Sequence, residues 1–296
     1  MSAATPTSPT TPTVIKPAAH VQPPTLLDRR PLWLTLLMYL GASALTLLAV
    51  GPALWLVLVA FQPPEAPLYE LSAGFTVKNF SDAWASGLAG PLVNSVLVTI
   101  ARAALNVFVA ALAAYPLARM SFRGRDVVFV LILATMMIPE QVIVVPMFRT
   151  VVGLGLFDTL AAVVLPFSVT AFGIFMCRQA FVAIPFDLEE AARIDGCGAL
   201  RTWWNVILPL SAPTLATLAL FSVIGAWSEL LWPLIVLESR GQFTLPVAMN
   251  DLMGQFSTNI RPAYAASVLA LVPIVGVFII AQRFLKGELF AGSVKG

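Results

Sequence analysis

Residues 32–61 read LWLTLLMYLGASALTLLAVGPALWLVLVAF and contain no charged side chain. At about 1.5 Å of rise per residue, a helix over this stretch exceeds the roughly 30 Å hydrocarbon core of a bilayer. The run begins only at Leu32, is too long for a secretory signal and lacks a convincing cleavage site. We therefore predict that it is retained as a first transmembrane helix.

Apolar segments of similar character recur along the rest of the chain. The protein is 59% hydrophobic and 11% charged, whereas soluble proteins have roughly 45–50% apolar and about 25% charged residues. This balance excludes a soluble globular protein and predicts an all-α, polytopic membrane protein with six transmembrane helices. The five further predicted spans are residues 91–118, 127–148, 159–177, 211–237 and 262–282.

Basic residues set the predicted orientation, because short cytoplasmic segments of membrane proteins are rich in Lys and Arg. An internal N terminus places twelve basic residues inside and four outside, so we predict that both termini are cytoplasmic. The net charge of +2 gives no broad basic field for nucleic acid. The inside set is Lys16, Arg29, Arg30, Arg119, Arg123, Arg125, Arg178, Arg193, Arg201, Arg283, Lys286 and Lys295, and the outside set is Lys78, Arg149, Arg240 and Arg261.

The segments outside the spans complete the predicted organisation. The N-terminal stretch is rich in Pro and Thr, a composition that favours disorder. The two cysteines and the single histidine match no metal-ligand spacing, so no metal site is predicted. The predicted order is a disordered cytoplasmic tail (1–31), a first helix (32–61), an extracytoplasmic loop (62–90), a core with spans two to six (91–284) that includes a cytoplasmic loop (178–210), and a C-terminal cytoplasmic tail (285–296).

The loop 178–210 carries the densest charge in the chain. Asp187 with Glu190 three residues later is the pattern of a capping box, which predicts a helix beginning at Asp187. Gly196 is well placed to end it, because glycine readily adopts the left-handed conformation. Two interpretations remain open from this pattern: an amphipathic connector resting on lipid, or a helix that docks into a groove of a partner protein.

A family resemblance bears on this choice. Glu190-Ala191-Ala192, then Asp195-Gly196, then after nine residues Val206-Ile207-Leu208-Pro209 resembles the EAA loop of permease subunits of bacterial ATP-binding cassette importers. Val206 departs from the pattern, which usually has isoleucine there. Other motifs resemble the sugar-importing, maltose-transporter-like branch: Met137 to Val142, Gly153 to Thr159, Trp227, Trp232-Pro233-Leu234 and the ending Gly292 to Gly296.

The resemblance implies a fold, a function and partners. The fold would be that of a type I importer permease in the bacterial cytoplasmic membrane, with a carbohydrate as solute. The partners would be a second related permease, two cytoplasmic ATPase subunits that bind ATP and Mg, and an extracytoplasmic solute-binding protein. The chain itself would have no cofactor and would not be an enzyme, in agreement with the absence of a G-x-x-x-x-G-K-[ST] phosphate loop from the sequence.

The resemblance also implies which residues act in coupling. A helix in the loop would fit a cleft on the ATPase and transmit its closure to the membrane helices, and the C-terminal tail would contact the ATPase. The coupling residues implied are Asp187, Glu190, Ala191, Ala192, Asp195, Gly196, Leu208 and Pro209, and the tail residues are Lys295 and Gly296.

Arg102, Glu140 and Glu229 fall within predicted spans. A charge at the bilayer centre costs about 2.5–3.5 kcal/mol on insertion scales, so such residues are expected to face a cavity or one another. One interpretation is a hydrophilic solute pathway and another is pairing with the partner permease. Further candidates for the pathway are Asn94 and Asn106 as polar lining and Trp227 or Trp232 for stacking on a sugar.

A different class of function uses the same charges. In an ion-coupled secondary transporter or channel, Arg102, Glu140 and Glu229 would relay protons or ions. Against this alternative, the sequence shows no evident inverted repeat, and a helix capped for docking has no role in it.

Overall fold

The computed structural model describes residues 31–65, 67, 74–255 and 260–291. The chain divides into two compact units, residues 1–52 and 53–296. Within the described ranges the regular structure is entirely helical. The α-helices are α1 (Leu32–Ala60), α2 (Lys78–Ala85), α3 (Ala89–Arg119), α4 (Arg125–Thr135), α5 (Glu140–Gly153), α6 (Leu160–Val164), α7 (Ala171–Ala183), α8 (Asp187–Ile194), α9 (Ala199–Thr202), α10 (Leu208–Leu210), α11 (Ala212–Ser228), α12 (Leu231–Val236), α13 (Leu245–Gln255) and α14 (Arg261–Ala291).

Three helices are long and apolar enough to cross a membrane as single elements: Leu32–Ala60, Ala89–Arg119 and, within α14, Arg261–Ile280. They correspond to the first, second and sixth predicted spans. Counting three bent helix pairs as one span each raises the number to as many as six. The all-α polytopic class predicted from the sequence is therefore confirmed.

The middle predicted spans are not single straight helices. The span predicted over 127–148 is the pair α4 and α5, bent by 99°. Pro139 explains the break, because proline disfavours helical geometry in the residue before it and has no N–H to donate. It occupies the N-cap of α5 in an extended conformation.

Two further predicted spans are also interrupted. The span over 159–177 consists of Leu160–Phe167 and α7, bent by 44°. Thr170 restarts the helix, since its hydroxyl accepts a hydrogen bond from the Gly173 amide. The span over 211–237 ends at Ser228, where Glu229 is extended, and α12 follows as a separate helix.

The central packing of the second unit is built on α3, which contacts both α7 and α11. Small residues permit this close approach: Ala110 and Ala114 are fully buried, and a Cβ atom at Gly173 would lie 3.1 Å from the Ala110 Cβ. Small side chains at such contacts are typical of helices that pack within a membrane. The helix α3 is therefore central to the packing of the second unit, since it contacts both α7 and α11.

Asp158 joins two connections at one end of this unit. It follows α5 with a positive φ of 58°, which Asp tolerates better than most residues. Its carboxylate accepts hydrogen bonds from the Glu238 amide at 2.8 Å, the Ser239 amide at 2.9 Å and the Ser239 hydroxyl. These hydrogen bonds, that of the Ser239 hydroxyl foremost, lower the pKa of Asp158 below its ordinary value.

This arrangement predicts a pH-dependent stability. Because the folded pKa lies below the unfolded one, the contribution of Asp158 is complete above the ordinary aspartate pKa of about 4 and is lost as the pH falls below it. We expect the melting temperature to fall on acidification more in the natural chain than in Asp158→Asn. Thermal unfolding in detergent between neutral and acidic pH measures the difference, and parallel curves would contradict it.

Candidate functional site

A cavity of about 500 Å³ lies where the helix breaks meet. Its wall includes the turn between α4 and α5, the break before α7 and one face of α11. Broken helices at membrane depth are tolerated where they line a cavity, because the freed backbone groups then find partners. The polar side chains in the wall are Arg102, Asn106, Thr135, Glu140, Thr170 and Ser222.

Asn106 connects three helices beside this cavity. Its amide nitrogen donates to the Ser222 hydroxyl of α11 at 2.8 Å. Its oxygen accepts from the backbone amide and the hydroxyl of Thr170, at 2.9 and 3.2 Å. The side chain is only 4% exposed, so it fixes α3, α7 and α11 to one another at the cavity wall.

Arg102 lies one turn before Asn106 on α3 and is 9% exposed. Its guanidinium carbon lies 4.3 Å from the centroid of the Phe167 ring, a cation–π contact. Its buried Nη1 has no hydrogen-bond partner among the described residues. The charges of Glu229 and Glu140 both attract it. Arg102 therefore brings a cation with spare hydrogen-bonding capacity to the cavity.

Glu140 is the first residue of α5 and is exposed at the cavity. An acidic side chain is favourable there because the N-terminal end of a helix is partially positive. Together with Arg102, it gives the wall one group of each charge. The apolar part of the wall includes three phenylalanine rings: Phe167, Phe172 and Phe221.

The other predicted pathway residues are not in this wall. Asn94 donates to the Gly241 and Phe243 carbonyl oxygens at 2.9 and 3.0 Å. Trp227 donates to the Ala270 carbonyl at 3.2 Å. A Glu229 carboxylate oxygen accepts from the Trp232 amide at 3.3 Å. Their role in a solute pathway stays a prediction, and the contacts in the structure connect helices and turns.

Trp232 is buried as well, at 2% exposed. Its indole N–H donates to the Ala162 carbonyl at 2.9 Å. The ring is therefore packed inside the protein, where it has no free face for a sugar. Within the described residues, no group of three or more His, Cys, Asp and Glu side chains could hold a metal ion.

The helix predicted within the loop 178–210 is α8. It begins at Asp187, as predicted, but the predicted cap was wrong: Phe186 occupies the N-cap position, and no side chain caps the helix. Asp187, Glu189 and Glu190 instead stand in the first turn, where their charges favour the helix dipole.

The end of α8 agrees with the prediction for Gly196. This residue has a φ of 81°, and its amide donates to the Arg193 carbonyl at 3.0 Å. The next amide, of Cys197, donates to the Ala192 carbonyl at 2.9 Å. This pair of hydrogen bonds is the Schellman motif, which requires a left-handed residue at this position.

The two sides of α8 differ in burial. Glu189 and the predicted coupling residue Ala192 are buried, whereas the other coupling residues predicted in this helix and at its end are exposed. After α8, residues 199–210 form a second short helical segment with a π-helical turn at Trp203–Ile207. Leu208 is half-buried and Pro209 exposed, and Lys295 and Gly296 lie outside the described residues. The exposed coupling residues predicted for α8 and its end are Asp187, Glu190, Ala191, Asp195 and Gly196.

Sequence reasoning missed the contact that holds α8. Glu189 stands four residues before Arg193, a spacing that favours an ion pair along one helix, but it lies instead against Arg119, with Nε and Oε1 2.8 Å apart and both side chains 1% exposed. Arg119 is the last residue of α3. In the sequence it is one of several basic residues that follow a span, and nothing in the pattern distinguishes it.

The family model for "Binding-protein-dependent transport system inner membrane component" matches residues 106–288. The chain is 34% identical to the arabinooligosaccharides transport system permease protein AraQ of Halalkalibacterium halodurans, over 89% of this chain and 97% of that protein. It is 33% identical to the melibiose/raffinose/stachyose import permease protein MelC of Bacillus subtilis, over 76% and 83% of the two chains.

A solved structure has a similar fold. One chain of a bacterial ABC transporter involved in the import of the acidic polysaccharide alginate aligns with a TM-score of 0.75. The alignment covers 85% of this chain and 96% of that chain at 22% identity. The likeness supports the fold predicted from the sequence, that of a type I importer permease.

The three-helix connection through Asn106 can be tested. Asn106→Ala leaves the partly buried Thr170 amide without its acceptor, and we expect it to lower the free energy of unfolding by about 1–3 kcal/mol. Ser228→Ala on α11 is the control, because this exposed hydroxyl bonds only to carbonyls of its own helix. Thermal unfolding of both variants in detergent is the measurement, and equal melting temperatures would contradict the role of Asn106.

Proposed function

Because the chain belongs to the family of inner membrane components of binding-protein-dependent transport systems, we propose that it is one of two related permease subunits of an ATP-driven importer. Two cytoplasmic ATPase subunits, which bind ATP and Mg, would supply the energy, and an extracytoplasmic protein would deliver the solute. The sequence has no phosphate-binding loop of its own. In an ATP-driven importer, this chain would therefore receive its energy from the ATPase subunits.

The observation that carries this proposal is the construction of α8. A helix that transmits force needs one exposed side for its partner and one side fixed to the membrane helices. In α8, Glu190 and Ala191 are exposed, whereas Glu189 and Ala192 are buried. Burying a charge is costly unless it is paired, and Glu189 is paired with Arg119 of α3. A connector that only rested on lipid would not need such a buried pair.

The arrangement of charge supports an orientation in which α8 is cytoplasmic. The basic residues that follow α3 and α7 then lie inside, together with both termini. The connections joined by Asp158 and Ser239 lie outside, where a solute-binding protein would deliver its cargo. The predicted order of tails, loops and core is part of the same proposal.

The solute that fits the cavity best is a carbohydrate. Hydroxyl, amide and charged groups offer hydrogen bonds to sugar hydroxyls, and phenylalanine rings offer apolar faces to the ring carbons. The similarity to AraQ, an arabinooligosaccharide transport permease, and to MelC, a melibiose/raffinose/stachyose import permease, supports the same class. Arg102, Asn106 and Glu140 are the proposed contacts.

The ion-coupled alternative receives less support. Its relay would need Arg102, Glu140 and Glu229 around one path. Of these, Arg102 and Glu140 reach the cavity, whereas Glu229 accepts from a backbone amide at the end of α11. An exposed helix outside the spans also has no use in a transporter driven by an ion gradient.

The direct test is purification of the tagged chain from its native membrane in mild detergent. Co-purification of an ATPase and a second permease is expected. ATP hydrolysis by the complex with its solute-binding protein should rise with one member of a panel containing an arabinooligosaccharide, raffinose and an alginate oligosaccharide. A chain that purifies alone and transports on an ion gradient without ATP would overturn the proposal.

Changes in α8 should uncouple the importer. Glu190→Lys reverses an exposed charge, and Gly196→Pro removes the left-handed residue that ends the helix. We expect both to leave the subunit in the membrane while solute uptake per ATP falls at least about tenfold. Uptake and ATP hydrolysis in proteoliposomes measure this ratio. Glu65→Lys, the same reversal at an exposed site between α1 and α2, should leave it unchanged; normal coupling in both α8 variants would contradict transmission.

Glu140 can be tested separately. Glu140→Gln removes the carboxylate from the cavity and is expected to change the half-saturating solute concentration or the rate of uptake. Assembly with the ATPase should be unaffected. Arg149→Gln removes a charge from the same helix outside the cavity and serves as the control. Equal uptake kinetics in the natural chain and Glu140→Gln would assign Glu140 a purely structural role.

A further inference from the structure

The backbone on either side of α8 is not helical. Ile184, which ends α7, is extended with ψ of 132°. At the other end Gly196 is left-handed and Gly198 extended. An eight-residue helix joined in this way could turn relative to both neighbours. Movement of α8 therefore needs a side-chain connection if it is to reach the membrane helices as a defined displacement.

Arg119 supplies such a connection with one guanidinium group. Its Nε lies 2.8 Å from Oε1 of Glu189, and its Nη2 donates to the Ile184 carbonyl at 2.6 Å. The same group lies 4.6 Å from the centroid of the Phe186 ring. One side chain of α3 thus holds the segment entering α8 and the first turn of α8 itself.

The last turn of α3 is also fixed to α7. Arg178 donates from Nε to the Leu117 carbonyl at 3.1 Å. Its guanidinium carbon lies 4.0 Å from the centroid of the Phe129 ring on α4. The end of α3 that contacts α8 is therefore connected to α7 by a hydrogen bond, and the same arginine contacts α4.

From this end, α3 leads to the cavity. It continues without interruption from Arg119 back to Asn106 and Arg102, and the distance from Arg119 to Asn106 along a helix is roughly 20 Å at 1.5 Å per residue. Asn106 hydrogen-bonds to Thr170 before α7 and to Ser222 of α11. Through these bonds a displacement of α3 would move α7 and α11 at the cavity wall.

We propose that the buried Arg119–Glu189 pair is the joint through which a movement of α8 enters α3 and reaches the cavity. Both are positioning residues, since neither faces the cavity. The inference rests on the proposed function, because it assumes that an ATPase moves α8. It adds a path that does not follow the chain: α8 acts on α3, which precedes it by more than sixty residues, and not only on α7 and α9.

The test uses the assembled importer and needs no knowledge of the solute. A Thr135→Cys substitution places a thiol in the cavity wall, and a water-soluble maleimide reports its accessibility with and without MgATP; the chain without this substitution corrects for Cys177 and Cys197. With the natural pair we expect MgATP to change the labelling rate at least about fivefold, as a two-state shift would. Glu189→Gln and Arg119→Gln should bring this ratio close to one while the ATPase still co-purifies and hydrolyses ATP.

The reversed pair Arg119→Glu with Glu189→Arg separates transmission from folding. It restores the ion pair but not the bond to the Ile184 carbonyl, so we expect partial recovery of the MgATP response. Arg240→Gln is the control, since it removes an ion pair of similar length, 3.0 Å to Asp251, whose side chains are 71% and 38% exposed. Its response should match that of the natural chain.

Two results would overturn the inference. One is an unchanged MgATP response in both single variants. The other is loss of the folded subunit in the single and reversed variants alike, which would limit the pair to folding. If Glu190→Lys uncouples transport while the Arg119 and Glu189 variants do not, the proposed function stands and this joint fails. If no ATPase accompanies the natural chain, the proposed function fails first.

Discussion

A buried backbone group in lipid must find a hydrogen-bond partner within the protein, because the hydrocarbon core has no water to offer. The long helices meet this requirement within themselves. Each interruption releases amide and carbonyl groups that need other partners. The breaks before α5 and α7 lie together against α11 around a single cavity, and the freed groups are met by capping side chains such as Thr170. The side chains that provide hydrogen bonds to the backbone at the helix breaks thus also form part of the polar wall of the cavity.

The helix α3 connects this cavity with the outside of the bundle. At the cavity it bears Arg102 and Asn106, and at its end it bears Arg119. Asn106 joins it to its neighbours through hydrogen bonds, and Gly173 allows α7 to approach closely enough for them to form. The side chain of Asn106 thus contacts two other helices at the cavity wall, on the same continuous helix that ends at Arg119 beside α8.

The charged residues of the spans differ in what they do. Arg102 and Glu140 face the cavity, whereas Glu229 meets the Trp232 amide where α11 ends. Arg119 at the end of α3 and Glu189 in α8 form an ion pair that is buried away from water. A buried pair of this kind adds little net stability compared with apolar side chains, but loss of one partner is costly because the other charge remains buried. Such a pair is well suited to fixing the relative position of two elements.

The sequence by itself determined the membrane class, the first, second and sixth spans, the helix beginning at Asp187 and its end at Gly196. These features depend on local properties: apolar length, and a glycine where the backbone must turn left-handed. The family motif in 190–209 was equally visible, because it is a run of neighbouring residues. The tertiary structure alone decided where α4 and α5 bend around Pro139, that Asn94 donates to the Gly241 carbonyl, that the Trp232 ring is buried, and that Glu189 pairs with Arg119. Partners distant in the chain are chosen by the packing of helices, and the spacing of residues along one helix contains no information about that choice.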